Sequence, residues 1–352
     1  MITGTFSIYK KYKTIFLITL VCCVSLPACT VVNLPEDVAD PGVLTWPAVP
    51  SLPRIEWVKE IRTAEDHGIK KGFFSRVSEA ISGVRSQPIS KPYGVHVDEK
   101  GRLIVVDSGS AVVHLFDSQS NAYRVLGRDR EMRFRAPIGV TEDQRGNLYI
   151  TDSGAGIIYR YNIEKRTSEV FSSQRLKRPT GVAYSRRQEV LFVSDTLEHQ
   201  IVAFDLAGTE LFRIGKRGGG DVQFNYPTDL FIDNKGQLYV TDALNQRIQV
   251  LTPEGQLLGK FGEGGDTTGY FAKPKGVAVD SQGHIYVCDA LLDAVQIFDR
   301  SGRLLLYFGG TGSRHGEFWM PTGIHIDADN YIYVADSFNR RIQVFRYVGK
   351  ED

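Results

Sequence analysis

The chain has 352 residues, 42% of them apolar, and a net charge of +1: enough apolar content for a substantial core, and too little positive charge for a nucleic-acid binder. Thirty-five glycines, 19 phenylalanines and 16 tyrosines are spread along it among alternating Val, Ile and Leu, which points to many short strands and an all-β fold. Of the four cysteines only Cys288 lies beyond the first 30 residues, which excludes a disulfide framework within one mature chain.

In chain order, Lys10, Lys11 and Lys13 precede an apolar run over 14–24 and then Ser25-Leu26-Pro27-Ala28-Cys29. This reads as an export signal over 1–28, and the run is shorter than the ~20 residues that a membrane span needs. Leu26, Ala28 and Cys29 resemble a bacterial lipobox, which implies lipidation of Cys29 and a place in the cell envelope. Thr30, where an Asp would imply inner-membrane retention, points by the same analogy to the outer membrane. Loss of 1–28 removes three lysines and no acidic residue, so the net charge moves from +1 to −2, and no nucleic-acid partner is expected. Residues 29–53 carry five prolines and are expected to form an extended tether. A strand-like segment follows at 54–61, and then an amphipathic helix at 71–82 with Phe73, Phe74, Val77 and Ile81 on one face.

From residue 91 to 349 the chain repeats itself. Pro92-Tyr93-Gly94-Val95 recurs at Pro137, Pro179, Pro227, Pro274 and Pro321, each copy followed by a turn, an apolar strand and an Asp. Those aspartates are Asp107, Asp152, Asp195, Asp242, Asp289 and Asp336, spaced 45, 43, 47, 47 and 47 residues apart, which predicts six blades. In the fourth blade the alternation places strands at 229–233, 237–241, 247–251 and 257–261, with hairpin turns at Asn234-Lys235-Gly236 and Pro253-Glu254-Gly255. The last blade ends after its third strand, so 54–61 is expected to supply the outer strand and close the ring.

The pattern Pro-x-Gly-Val-x-Val-Asp-x-x-Gly-x-Ile-Tyr-Val-x-Asp-x-x-Asn-x-Arg-Ile-Gln-Val, nearly complete in blades four and six, resembles NHL repeats. It implies a six-bladed β-propeller of the kind found in exported bacterial lipoproteins. Ile89, Phe134, Leu176, Phe224, Phe271 and Phe318, three before each Pro, are placed to wedge between blades. The repeated Asp is expected to accept backbone N–H groups of the following turn, with Asn245, Arg247, Asn339 and Arg341 completing the network.

Catalytic relatives of this architecture can be checked residue by residue. In the peptidylglycine-amidating lyase, which this chain resembles in blade pattern, the zinc histidines occupy the x of Pro-x-Gly; here that position holds Tyr93, Ile138, Thr180, Thr228, Lys275 and Thr322. Calcium-dependent lactonases need a cluster of Glu, Asn and Asp at the channel mouth, and only the repeat aspartates are candidates. Strictosidine-synthase-like chemistry rests on a Glu over an apolar pocket, for which Glu142 is nearest. His96 and His325 occupy equivalent inner-strand positions of blades one and six and become neighbours on ring closure, as an acid–base or metal pair or as polar channel lining. No metal or cofactor is expected.

The inter-blade connections carry the remaining signal. Arg128, Arg130, Arg133 and Arg135 lead into blade two, Arg175, Lys177 and Arg178 into blade three, and Lys216 and Arg217 into blade four, whereas Tyr270, Arg314, His315 and Trp319 lie on the next two connections. Arginine forks suit anions, and exposed aromatics suit sugars or extended peptides. The expectation is a monomeric, non-catalytic, envelope-anchored scaffold whose loop face binds a protein or glycan; the alternative is a hydrolase or lyase acting in the channel.

Overall fold

In the computed structural model, residues 44–48, 51–52, 54–70, 87–129 and 131–349 are described; the expected export signal, Cys29, most of the expected tether, the segment 71–82 expected to be helical and Arg130 lie outside them. Six antiparallel sheets follow one another along the chain, each with an inner strand that begins at a repeat proline. These inner strands are Pro92–Val97, Pro137–Glu142, Pro179–Ser185, Pro227–Ile232, Pro274–Val279 and Pro321–Ile326. Each shifts register against its second strand just after the proline, as Pro92 pairs with Asp107 but Val95 with Val105. The same bulge recurs in all six blades, including Pro227/Asp229 in blade four. A bulge re-aims a side chain, and x faces the channel.

The glycine of Pro-x-Gly is fixed by the packing of adjacent inner strands. A Cβ on Gly94 would lie 2.5 Å from Ile138 O of the next blade, and one on Gly323 would lie 2.3 Å from Tyr93 O, so the same contact closes blade six on blade one. Blade four breaks the pattern with Asp229. The wedge residues are buried, and the rings of Phe224, Phe271 and Phe318 lie against Gly215, Gly262 and Gly309, which hold positive φ.

Each repeat Asp is buried and does more than cap its own turn. Asp107 accepts Gly109 N at 3.0 Å, and also Ser90 N and Lys91 N of the incoming connection at 2.8 and 2.9 Å. Burial works against its charge, yet these bonds and His114 outweigh it and hold the carboxyl down to about 2. In blades four and six Arg247 and Arg341 donate through Nε at 2.8 Å to Asp242 and Asp336.

Blade six has five strands. Ile55–Ile61 pairs antiparallel with Arg341–Tyr347, and Thr45–Trp46 pairs with Ile55 and Glu56. The extended tether expected over 29–53 is therefore corrected at Thr45–Trp46. Trp46 packs 5.7 Å from both Phe308 and Phe345, and that burial folds the segment back onto the sheet edge.

Candidate functional site

The inner strands enclose a cavity of about 700 Å³. Toward the hairpin face, Glu142 ends the inner strand of blade two, with Arg102 of blade one 3.5 Å from its carboxylate. Burial, reinforced by Asp98, pushes the Glu142 carboxyl up to about 7 despite that guanidinium. Arg102 is itself engaged with Asp98 and Glu164. His96 and His325 stand side by side across the closure seam, 4.6 Å between ring centroids at 68°. Burial and then Arg186 push His96 down to about 4, and burial and then His96 hold His325 well below its ordinary value, so both imidazoles are neutral at physiological pH.

Toward the loop face the cavity ends at a throat lined by five of the six x residues, all but Thr180, and by Asp229. Tyr93 comes from blade one, Asp229 from blade four and Lys275 from blade five, and Arg178 reaches the same field from the connection into blade three. Asp229 Oδ2 accepts Val277 N of the next blade at 3.0 Å. Burial nevertheless pushes its carboxyl up to about 7. Burial also raises the Tyr93 hydroxyl to about 12, helped by Asp229, and lowers Lys275, helped by Arg178. The throat was not foreseen, although Asp229 in place of the repeat Gly and Lys275 at an x position are both visible in the sequence.

The residues present do not fit a divalent cation. A hard cation needs several oxygens converging on one point. The repeat aspartates are each committed to backbone N–H groups, and among the described residues no three His, Cys, Asp or Glu side chains converge.

On the loop face, Arg133, Arg135, Arg175, Arg178 and Arg217 are exposed, and none makes an ion pair among the described residues. Arg128 instead donates to Gln87 Oε1, and Arg314 pairs with Glu317 at 3.2 Å. His315 is exposed and stacks 4.1 Å from Trp57 on the N-terminal strand of blade six. Trp319 is 53% exposed and lies 5.5 Å from Phe338, over which Lys91 Nζ sits at 4.8 Å. Tyr270 is also exposed.

A second feature of this face was missed. The residue two after the repeat Asp is Leu197, Leu244, Leu291 and Phe338 in blades three to six, and all four are 44–59% exposed. Blades one and two carry Gly109 and Gly154 there. Backbone bonds hold these turns to the incoming connections, Leu244 N to Asn225 O at 3.0 Å and Phe338 N to Trp319 O at 3.1 Å. Aligning the repeats would have shown the row, since each Leu follows its Asp at the same offset. A crescent of exposed apolar side chains thus shares the loop face with the arginines.

Comparison with known proteins agrees with the architecture. A family model described as SMP-30/gluconolactonase/LRE-like region matches residues 69–264, and one described as a 6-bladed beta-propeller matches 274–350. No curated protein sequence matches the chain. Among solved structures, a streptogramin B lyase is similar with TM-score 0.58 at 14% identity, over 75% of this chain and 95% of its own. A gluconolactonase from Xanthomonas campestris gives 0.58 at 14%, over 84% and 89%. An auxiliary nutrient binding protein from Bacteroides thetaiotaomicron gives 0.57 at 15%, over 74% and 70%. At such identity the likeness carries the fold alone. With one family model spanning more than half of its length, this NHL-like six-bladed propeller belongs to the SMP-30/gluconolactonase/LRE-like family.

Proposed function

We propose that the chain is a binding module of the bacterial cell envelope, anchored by lipid at Cys29 and probing the outer membrane's surroundings with its loop face. Its partner is acidic, and the apolar crescent favours a polypeptide over a glycan. One observation carries this reading: arginines free of carboxylate partners on blades two and three stand on the same face as Leu197, Leu244, Leu291, Phe338 and Trp319. Exposed guanidinium forks supply anion recognition, and a contiguous exposed apolar row marks an interaction site more often than a solvated surface. Similarity to an auxiliary nutrient binding protein is consistent with a binding role.

The test is crosslinking in intact envelopes followed by mass spectrometry. A partner captured by the wild type should be lost from Arg133→Ala/Arg135→Ala and from Leu244→Ser/Leu291→Ser, with capture weakening as salt rises. Equal capture by all three proteins refutes the reading. The second reading, a channel hydrolase or lyase, has in its favour two carboxyls, Glu142 and Asp229, placed near neutrality where a general acid or base works best.

A further inference from the structure

The throat of the channel holds charge that the fold does not use. Lys275 projects from the bulge of blade five into the cavity wall, half-buried, and its ammonium makes no hydrogen bond or ion pair among the described residues. Asp229 accepts the Val277 N–H and attracts Lys275 through space, but the two form no ion pair. An ammonium withdrawn from bulk water without a direct partner is costly, and the expense falls when an anion arrives. Arg178, exposed on the connection into blade three and outside the cavity lining, is near enough for its charge to act on Lys275 and Tyr93, and its planar fork matches a carboxylate. Across the throat Tyr93 presents a phenol that burial keeps protonated and able to donate.

We infer that this throat is a binding site for a small organic carboxylate, its anionic head held between Lys275 and Arg178 and its body lying in the cavity toward Thr141, Val182 and Phe231. Two cations facing one carboxyl suit a single negative charge better than a dianion, since Asp229 repels the second charge. The cavity, about 700 Å³, falls within the roughly 300–1,000 Å³ of small-molecule sites. Hydroxyl and apolar walls give an organic body both hydrogen bonds and contact. No side chain of this site comes from the apolar crescent, and the inference goes beyond the loop-face reading and stands without it.

The experiment is calorimetric titration of the full chain at pH 7 with acetate, lactate and benzoate, each paired with its uncharged amide. At least one acid should saturate the protein below about 10 mM while its amide does not. Lys275→Met and Arg178→Gln should each weaken that acid about tenfold or more, and Lys275→Arg should retain it. Arg178 is exposed, so its variant separates loss of binding from loss of fold. Arg133→Ala/Arg135→Ala, which disables the proposed loop-face capture, should leave the titration unchanged. Failure of all three acids to bind, equal binding of acid and amide, or wild-type binding by both Lys275→Met and Arg178→Gln overturns the inference.

Discussion

Asp229 offers the sharpest test of how the channel is built, because one carboxyl there couples folding to pH. Its ordinary value is 3.8 and the folded chain raises it to about 7, with burial as the main cause. Below pH 3.8 the group is neutral in both states and adds no pH-dependent term. As pH rises from there the unfolded chain ionises first, so folding loses about 1.4 kcal/mol per pH unit until the folded carboxyl also ionises near 7. The accumulated penalty above that point is up to about 4 kcal/mol, of which about 3 kcal/mol develops between pH 5 and pH 8. The groups that feel this carboxyl, Lys275, Tyr93 and Cys288, remain in Asp229→Asn, which keeps an acceptor for Val277 N and cannot titrate. Urea unfolding of both proteins at the two pH values reads the difference directly, since other titrating groups cancel. Asp229→Asn should gain about 3 kcal/mol on the wild type between pH 5 and pH 8. A stability difference that stays constant to within about 0.5 kcal/mol would show that Asp229 is solvated and that burial does not control its charge.

Other predictions concern the frame. Phe271→Ala empties a fully buried wedge packed 5.4 Å from Phe298, and denaturant unfolding should show a loss of about 3–5 kcal/mol. Gly323→Ala drives a Cβ to 2.3 Å from the backbone oxygen of Tyr93 and should lower the melting temperature by several degrees, whereas Gly259→Ala, with nothing within 4 Å, should leave it unchanged. Arg341 joins Asp336 at 2.8 Å to Glu60 of the N-terminal strand at 2.6 Å; Arg341→Met leaves a buried carboxylate unpaired and should lose about 3–5 kcal/mol, and Glu60→Gln only about 1 kcal/mol. Limited proteolysis should then cut near Ile55–Ile61 sooner in Arg341→Met than in the wild type.

The blades were legible because the same physical requirement recurs six times. Pro-x-Gly marks an inner strand pressed against its neighbour, and the Asp marks the turn that staples the next connection, so a period of 43 to 47 residues is a direct imprint of one contact repeated. Departures came where a single long-range contact decides. Thr45–Trp46 forms a strand because Trp46 finds Phe308 and Phe345 at the far end of the chain, which no local pattern announces.

The throat shows why repeat positions predict a fold better than a site. In the sequence Tyr93, Lys275 and the other x residues look like six tolerated substitutions at one motif position, and Asp229 like a lapsed glycine. Ring closure converts that variability into a shared surface: positions that the repeat leaves unconstrained are the ones the bulge aims at the channel, so chemistry accumulates where the motif is silent. Arg178 enters the same group from a connection, beyond the motif altogether, and only the three-dimensional arrangement shows that it shares a field with Lys275 and Tyr93. Blades one, three, four and five therefore build one site from residues 182 positions apart at the extremes, Tyr93 and Lys275, and each is unremarkable in its own blade.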